Sequence, residues 1–162
     1  MVALLEEYFD SVHWFSVVIY EPKFRIGLRA VQDGFAKPTE KPFLLLLSTV
    51  LGLGAWYKSQ KPVVETDQPA EVWQNWSCKL IKNVESQLSD IMDQNCISAV
   101  QTRILLGSFY VYHGRPNLSF SLLGASIKAA QAIGLHREPV QTAPADVEER
   151  KRVWWTIYTW DR

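Results

Sequence analysis

Two stretches with the period of a helix, Ile97–His113 and Asn117–Ile133, are separated only by Gly114-Arg115-Pro116. A connection that short forces two helices to run antiparallel as neighbours. In the second stretch Leu118, Leu122, Ala125, Ala129 and Ala132 fall on one side, and Leu123, Ala130 and Ile133 on another. Gly134 stands where a left-handed cap is needed to end it, and Leu135 where a residue packs back on the last turn. Helical pattern resumes at Asp146, whose spacing to Glu149 is that of a capping box. Arg150, Val153, Trp154, Ile157, Tyr158 and Asp161 then share one face.

The rest of the chain repeats this vocabulary. Leu5, Tyr8, Phe9, Val12, Phe15 and Ile19 predict a helix over Val2–Tyr20, closed by Glu21-Pro22 because a residue before proline avoids helical geometry. A short amphipathic helix over Lys23–Gln32 stops at Asp33-Gly34, and Thr39 is placed to cap the next. The helix over Lys41–Lys58 is apolar nearly all round, which predicts burial. Ser59–Pro69 reads as a loop. Over Ala70–Met92, Trp73, Trp76, Leu80, Val84, Leu88 and Ile91 form the apolar stripe of a surface helix. Asp93-Gln94-Asn95 joins it tightly to Ile97–His113. No segment alternates as a strand does. The expectation is an all-α fold of about seven helices, its antiparallel hairpins packed as an irregular bundle. The small residues Gly124, Ala125, Ala129 and Ala132 predict close helix approach, filled by bulky partners such as Phe109 or Trp154.

Composition bounds function. The chain has 162 residues, 48% of them apolar and 12% aromatic, enough for one domain with a real core. Seventeen basic residues balance seventeen acidic ones, which leaves no electrostatic footprint for nucleic acid or an acidic membrane. The N-terminus lacks the pattern of a secretory signal. The most apolar run, Phe43–Tyr57, falls short of the roughly 20 residues of a membrane-spanning helix. Two cysteines, Cys78 and Cys96, make no disulfide framework and read as reduced thiols. His13, His113 and His136 stand at no metal-ligand spacing, either with one another or with the cysteines. His136, just past a helix C-terminus, is favoured as a cation by the carbonyl dipoles, a structural role. Gly52-Leu53-Gly54 lies late in an apolar helix, so it reads as a packing gap or a fraying end, not as a dinucleotide loop. Glu148-Glu149-Arg150-Lys151-Arg152 reads as a solvated helix face. No catalytic motif is present.

Several blocks carry a family resemblance. They are Val100-Gln101-Thr102-Arg103-Ile104-Leu105-Leu106, Tyr110, Gly114-Arg115, Gly124-Ala125-Ser126-Ile127-Lys128-Ala129-Ala130 and Gly134-Leu135-His136-Arg137. After them come Glu149 to Tyr158, with Arg152, Trp154 and Trp155, and then Asp161-Arg162. Tyr8-Phe9, Val12 to Phe15 and Tyr20-Glu21-Pro22 precede them in the same order. Together they resemble the middle homology region of fungal binuclear zinc-cluster transcription factors, also called the xylanolytic-activator regulatory domain. The resemblance covers nearly the whole chain; its specific parts are Gly134-Leu135-His136-Arg137, Trp154-Trp155 and Asp161-Arg162.

It implies a nuclear, non-enzymatic regulatory domain of an RNA polymerase II gene regulator. Expected partners are proteins of the transcription machinery or a second copy of the chain, and a small-molecule effector is admitted; no membrane is implied. Zinc and DNA belong to a cysteine cluster upstream of such regions, so no cofactor and no DNA contact is expected from residues here. Family members continue beyond the block at Asp161-Arg162, so the resemblance also implies that residues 1–162 are a single but incomplete domain. Part of Trp155 or Trp160 is then expected to be exposed, as an apolar patch suited to self-association or a helical partner. Two other classes compete. One is a tetratricopeptide-like adaptor binding a peptide, on the strength of Leu106-Gly107, Tyr110 and Gly114, although no second copy stands at the period of about 34 residues. The other is an enzyme or sensor with an aromatic pocket built from Trp14, Trp56, Trp73 or Trp154.

Overall fold

The structure is a computed structural model and describes residues 1–32, 34, 36–62, 68–138 and 142–161. Among the described residues there are eight α-helices and no strand. They are α1 (Val2–Ser11), α2 (Glu21–Ala30), α3 (Lys41–Ser59), α4 (Ala70–Ser86), α5 (Leu88–Asp93), α6 (Ile97–Tyr112), α7 (Pro116–Ala132) and α8 (Pro144–Asp161). The expected all-α bundle is what forms.

Helix α3 is the hub, packed against α1, α4 and α6, while α6 and α7 form a hairpin with α8 laid against it. The main apolar core joins Leu5 and Tyr8 of α1, Leu46, Val50 and Leu53 of α3, Val100 and Ile104 of α6, Ala130 of α7, and Val153 and Ile157 of α8. A second cluster, with Ile81, Val84, Ile91, Leu106 and Leu122, lies under α4 and α5. The near-uniform apolarity of α3 thus has its cause in neighbours on several sides.

Four sequence expectations are corrected. Helix α1 stops at Ser11 instead of reaching Tyr20. The Ser11 carbonyl, which a continuing helix would give to the Phe15 amide, instead accepts a hydrogen bond from Trp14 Nε1 at 3.0 Å. The chain from Val12 to Ile19 runs in turns and still buries Val12, Val18 and Ile19. Glu21-Pro22 opens α2 rather than closing α1, since proline fits the first turn, where its missing N–H is not needed. Thr39 caps nothing; the Glu40 carboxylate accepts the Lys37 amide at 2.6 Å and closes a 3-10 turn, Pro38–Glu40. The stretch Ala70–Met92 breaks at Gln87, which leaves helical geometry at φ −106° and ψ 14° and raises the helix count to eight.

The buried face of α4 is also turned from the expected stripe. Ser77, Ile81 and Val84 are buried, whereas Trp76 is 51% exposed. Small Ser77 and the missing side chain of Gly52 let α4 sit close on α3: a Cβ on Gly52 would come within 3.0 Å of Ile81 Cδ1. Gly124 is corrected as well. It is exposed, with nothing within 4 Å of a Cβ there. The close approach of α6 and α7 is made by Gly107, where a Cβ would lie 3.1 Å from Leu123, and by Ser119 Oγ, which donates to the Gly107 carbonyl at 2.7 Å.

Candidate functional site at the α7–α8 corner

The expected glycine cap forms at Gly134, and Gly114 makes a second. Gly114 and Gly134 have φ of 70° and 71°, which L side chains rarely adopt. At each, the amide after the glycine reaches back to the helix: Arg115 N–H to the Tyr110 carbonyl and Leu135 N–H to the Ala130 carbonyl, both at 2.9 Å. Leu135 is buried, as the motif requires. Gly134→Val is therefore expected to lower stability by about 1–3 kcal/mol, because a β-branched residue at positive φ is strained. Thermal melting of the variant against the parent checks this, and equal midpoints would refute the cap.

The cation on the last carbonyls of α7 is not His136. Arg150 Nη2 donates to the Gly134 carbonyl at 2.8 Å and to the Ile133 carbonyl at 3.3 Å, where the helix dipole favours positive charge. His136 is exposed, accepts from Arg137 Nε at 3.1 Å, and lies 5.8 Å from the Trp154 ring. The corner encloses a cleft of about 230 Å³ lined by Leu135, His136, Arg137, Arg150 and Trp154. Gly134, Leu135, His136, Arg137 and Trp154 thus come together. Gly114 does not: its turn is tied to α4 by Arg115 and Tyr110, which reach Glu85 at 3.3 and 2.6 Å.

Helix α8 starts two residues before the expected box, with the Asp146 and Val147 amides both on the Ala143 carbonyl. The Asp146 and Glu149 carboxylates turn instead to α2, and each holds Lys23 Nζ at 2.5 Å. Burial pulls the Lys23 pKa down, but the hydrogen bonds to the two carboxylates outweigh it and leave the ammonium above its ordinary value. Arg152 points away from the corner, paired with Glu148 at 2.6 Å and with its guanidinium 5.4 Å over the Tyr20 ring. The inner face of α8 is Val153, Thr156 and Ile157, while Tyr158 and Asp161 are exposed. Arg162 lies outside the described residues.

Trp155 is 58% exposed, as expected for one of the two end tryptophans. With Phe15, Val17, Thr159 and Trp160 it lines a shallow groove of about 240 Å³. Trp14, Trp56, Trp73 and Trp154 build no common pocket. Trp14 is 76% exposed, Trp56 packs 4.3 Å from His113, and Trp73 carries Lys58 at 4.6 Å over its ring. Among the described residues no group of histidines, cysteines and carboxylates is placed to hold a metal ion, and no helix is long and apolar enough to cross a membrane.

The sequence reading includes Gln101 and Arg103 in a resemblance block but gives them no role, and both are 1% exposed inside α6. The signal was present: the one carboxamide and the one charged side chain of a largely apolar helix. Gln101 Nε2 donates to the Val18 carbonyl at 3.1 Å and toward Glu149 at 3.4 Å. Arg103 donates to the carbonyls of Ala99 and Met92 at 3.2 and 3.5 Å.

Comparison with known proteins places these features in a family. Residues 5–162 match the fungal specific transcription factor domain. Over 162 residues, 98% of this chain and 20% of the relative, the chain is 28% identical to an uncharacterized transcriptional regulatory protein of Schizosaccharomyces pombe. It is 25% identical to an ABC-transporter-regulating transcription factor of Aspergillus fumigatus, over 99% of this chain and 18% of that one. It is 27% identical to cutinase transcription factor 1 alpha of Fusarium vanettenii, over 98% and 17%. The chain spans about a fifth of the length of these relatives. No solved structure matches it significantly. The relatives are named as regulators, not enzymes, and nothing supports the tetratricopeptide reading. With residues 5–162 matched, the chain belongs to the fungal specific transcription factor domain family.

Proposed function

We propose that residues 1–162 act as one regulatory and interaction domain of a nuclear regulator of RNA polymerase II genes. The observation that carries this reading is the family match across residues 5–162, together with relatives that are named as transcriptional regulators. In this reading the residues of the α7–α8 corner, Gly134, Leu135, His136, Arg137 and Trp154, hold α8 in place. The exposed Trp155 and the groove beside it meet a protein of the transcription machinery or a second copy. Zinc and DNA contacts belong to a module outside this chain, whose two cysteines stand apart, Cys78 exposed and Cys96 half-buried.

The chain fused to a heterologous DNA-binding domain tests this in a reporter strain. Transcription is expected to differ from that given by the DNA-binding domain alone, and Trp155→Ser, on an exposed side chain, is expected to reduce the difference. Reporter output equal to the DNA-binding domain alone, from a fusion shown to be folded and nuclear, would overturn the proposal.

A further inference from the structure

A cavity of about 390 Å³ lies away from the corner, between α2, α3, α6 and the first turns of α8. That is within the range of small-molecule pockets. Its walls are apolar: Phe24 of α2, Phe43 and Leu46 of α3, and Ile97 of α6. The two phenyl rings stand 5.3 Å apart. Gly27 keeps the α2 wall thin, since a Cβ there would come within 2.8 Å of Phe43. Ile26 also lines the cavity and is 65% exposed, so it stands at the mouth.

One end is polar and unevenly charged. Lys23 and Glu149 line it, and Lys23 is also paired with Asp146. One cation between two carboxylates leaves one negative charge in excess. Gln101 lines the same end, 1% exposed, and its orientation is set by the bonds from Nε2 to Val18 and Glu149. Its Oε1 is buried and has no hydrogen-bond partner among the described residues. A buried acceptor of this kind costs stability unless a donor meets it. The free valence of the site is therefore for a donor, and the local charge favours a cationic one.

We propose that this cavity binds a small hydrophobic amine, its aromatic or aliphatic body lying against the Phe24–Phe43 wall and its ammonium donating to Gln101 Oε1 and Glu149 Oε1. Lys23 does not serve as an anion receptor, because both carboxylates already occupy it. The site stands on the cavity alone, independently of the part played by the domain in transcription.

An NMR titration of the whole chain tests it with three probes of similar size: phenethylamine, hydrocinnamate and phenethyl alcohol. Phenethylamine is expected to shift the Gln101 carboxamide and the Ile26 and Leu46 methyl signals, with hydrocinnamate leaving them in place and the alcohol binding more weakly. Gln101→Leu and Glu149→Gln are each expected to weaken phenethylamine by about tenfold. Should either variant fold poorly, Ile26→Trp, at an exposed position, blocks the mouth and is expected to weaken it at least as much. Three results would overturn the proposal: no shift of these signals with phenethylamine, binding of hydrocinnamate as tight as that of the amine, or full affinity in Ile26→Trp.

Discussion

Gly54→Ala is expected to be the most damaging single-methyl substitution in the chain. A Cβ built on Gly54 would lie 2.0 Å from the Leu4 carbonyl oxygen. Backbone cannot swing aside as a side chain can, so α1 must move off α3 and uncover Leu5 and Tyr8, both essentially fully buried. Overpacking usually costs about 1–3 kcal/mol, and a clash with fixed backbone belongs at or above the upper figure. For a domain stable by about 5–15 kcal/mol, that is a large fraction. Gly52→Ala meets flexible Ile81 and should cost less, while Gly124→Ala meets nothing and gains helix propensity, about 0.5–1 kcal/mol. Urea denaturation of the three variants should rank them in that order. A Gly54→Ala midpoint equal to the parent's would show that α1 is not seated on α3.

Arg103 carries the second large effect. It is the largest fully buried side chain, and among the described residues no carboxylate faces it; its bonds go to carbonyls only. Burial lowers its pKa, which means that the fold bears the charge at a cost. Its volume fills the space between α5 and α6. Arg103→Ala is expected to destabilise by about 2–5 kcal/mol through the cavity it opens. Arg103→Met, which keeps most of the volume and removes the buried charge, should recover most of that loss. Equal losses in the two variants would show that the carbonyl hydrogen bonds, not the volume, are what matter.

These two positions mark where the sequence could and could not be read. Helices α3, α6 and α7 were legible to within two residues because apolar period and glycine caps are local signals. Gly114 and Gly134 were legible for the same reason: only glycine enters positive φ freely. Gly52 and Gly54 read as a gap or a fraying end, yet both are buried contacts. Two residues apart on a helix they point about 200° apart, and so serve α4 on one side and α1 on the other. Only the neighbours reveal that. The end of α1 was hidden because the apolar period runs on through the turns after Ser11, which still bury Val12, Val18 and Ile19. Glu21-Pro22 and the Asp146–Glu149 spacing are local patterns with two meanings, and tertiary contacts chose the second. Of the corner, Gly134 to Arg137 and Trp154 were legible; Arg150 on the α7 carbonyls was not, since nothing in its own helix predicts that partner. The Lys23 and Gln101 end of the cavity joins residues too distant in sequence for any pattern to link.

That distance has a kinetic consequence. Lys23 is 123 and 126 positions from its two carboxylates, whereas the Ser119–Gly107 bond of the α6–α7 hairpin spans 12. Closing a loop ten times longer costs about 2 kcal/mol more in chain entropy. The hairpin can therefore assemble from its own sequence early, while α8 finds α2 only after the bundle between them has collapsed. Folding closes this bundle like a clasp, fastened last where α2 meets α8.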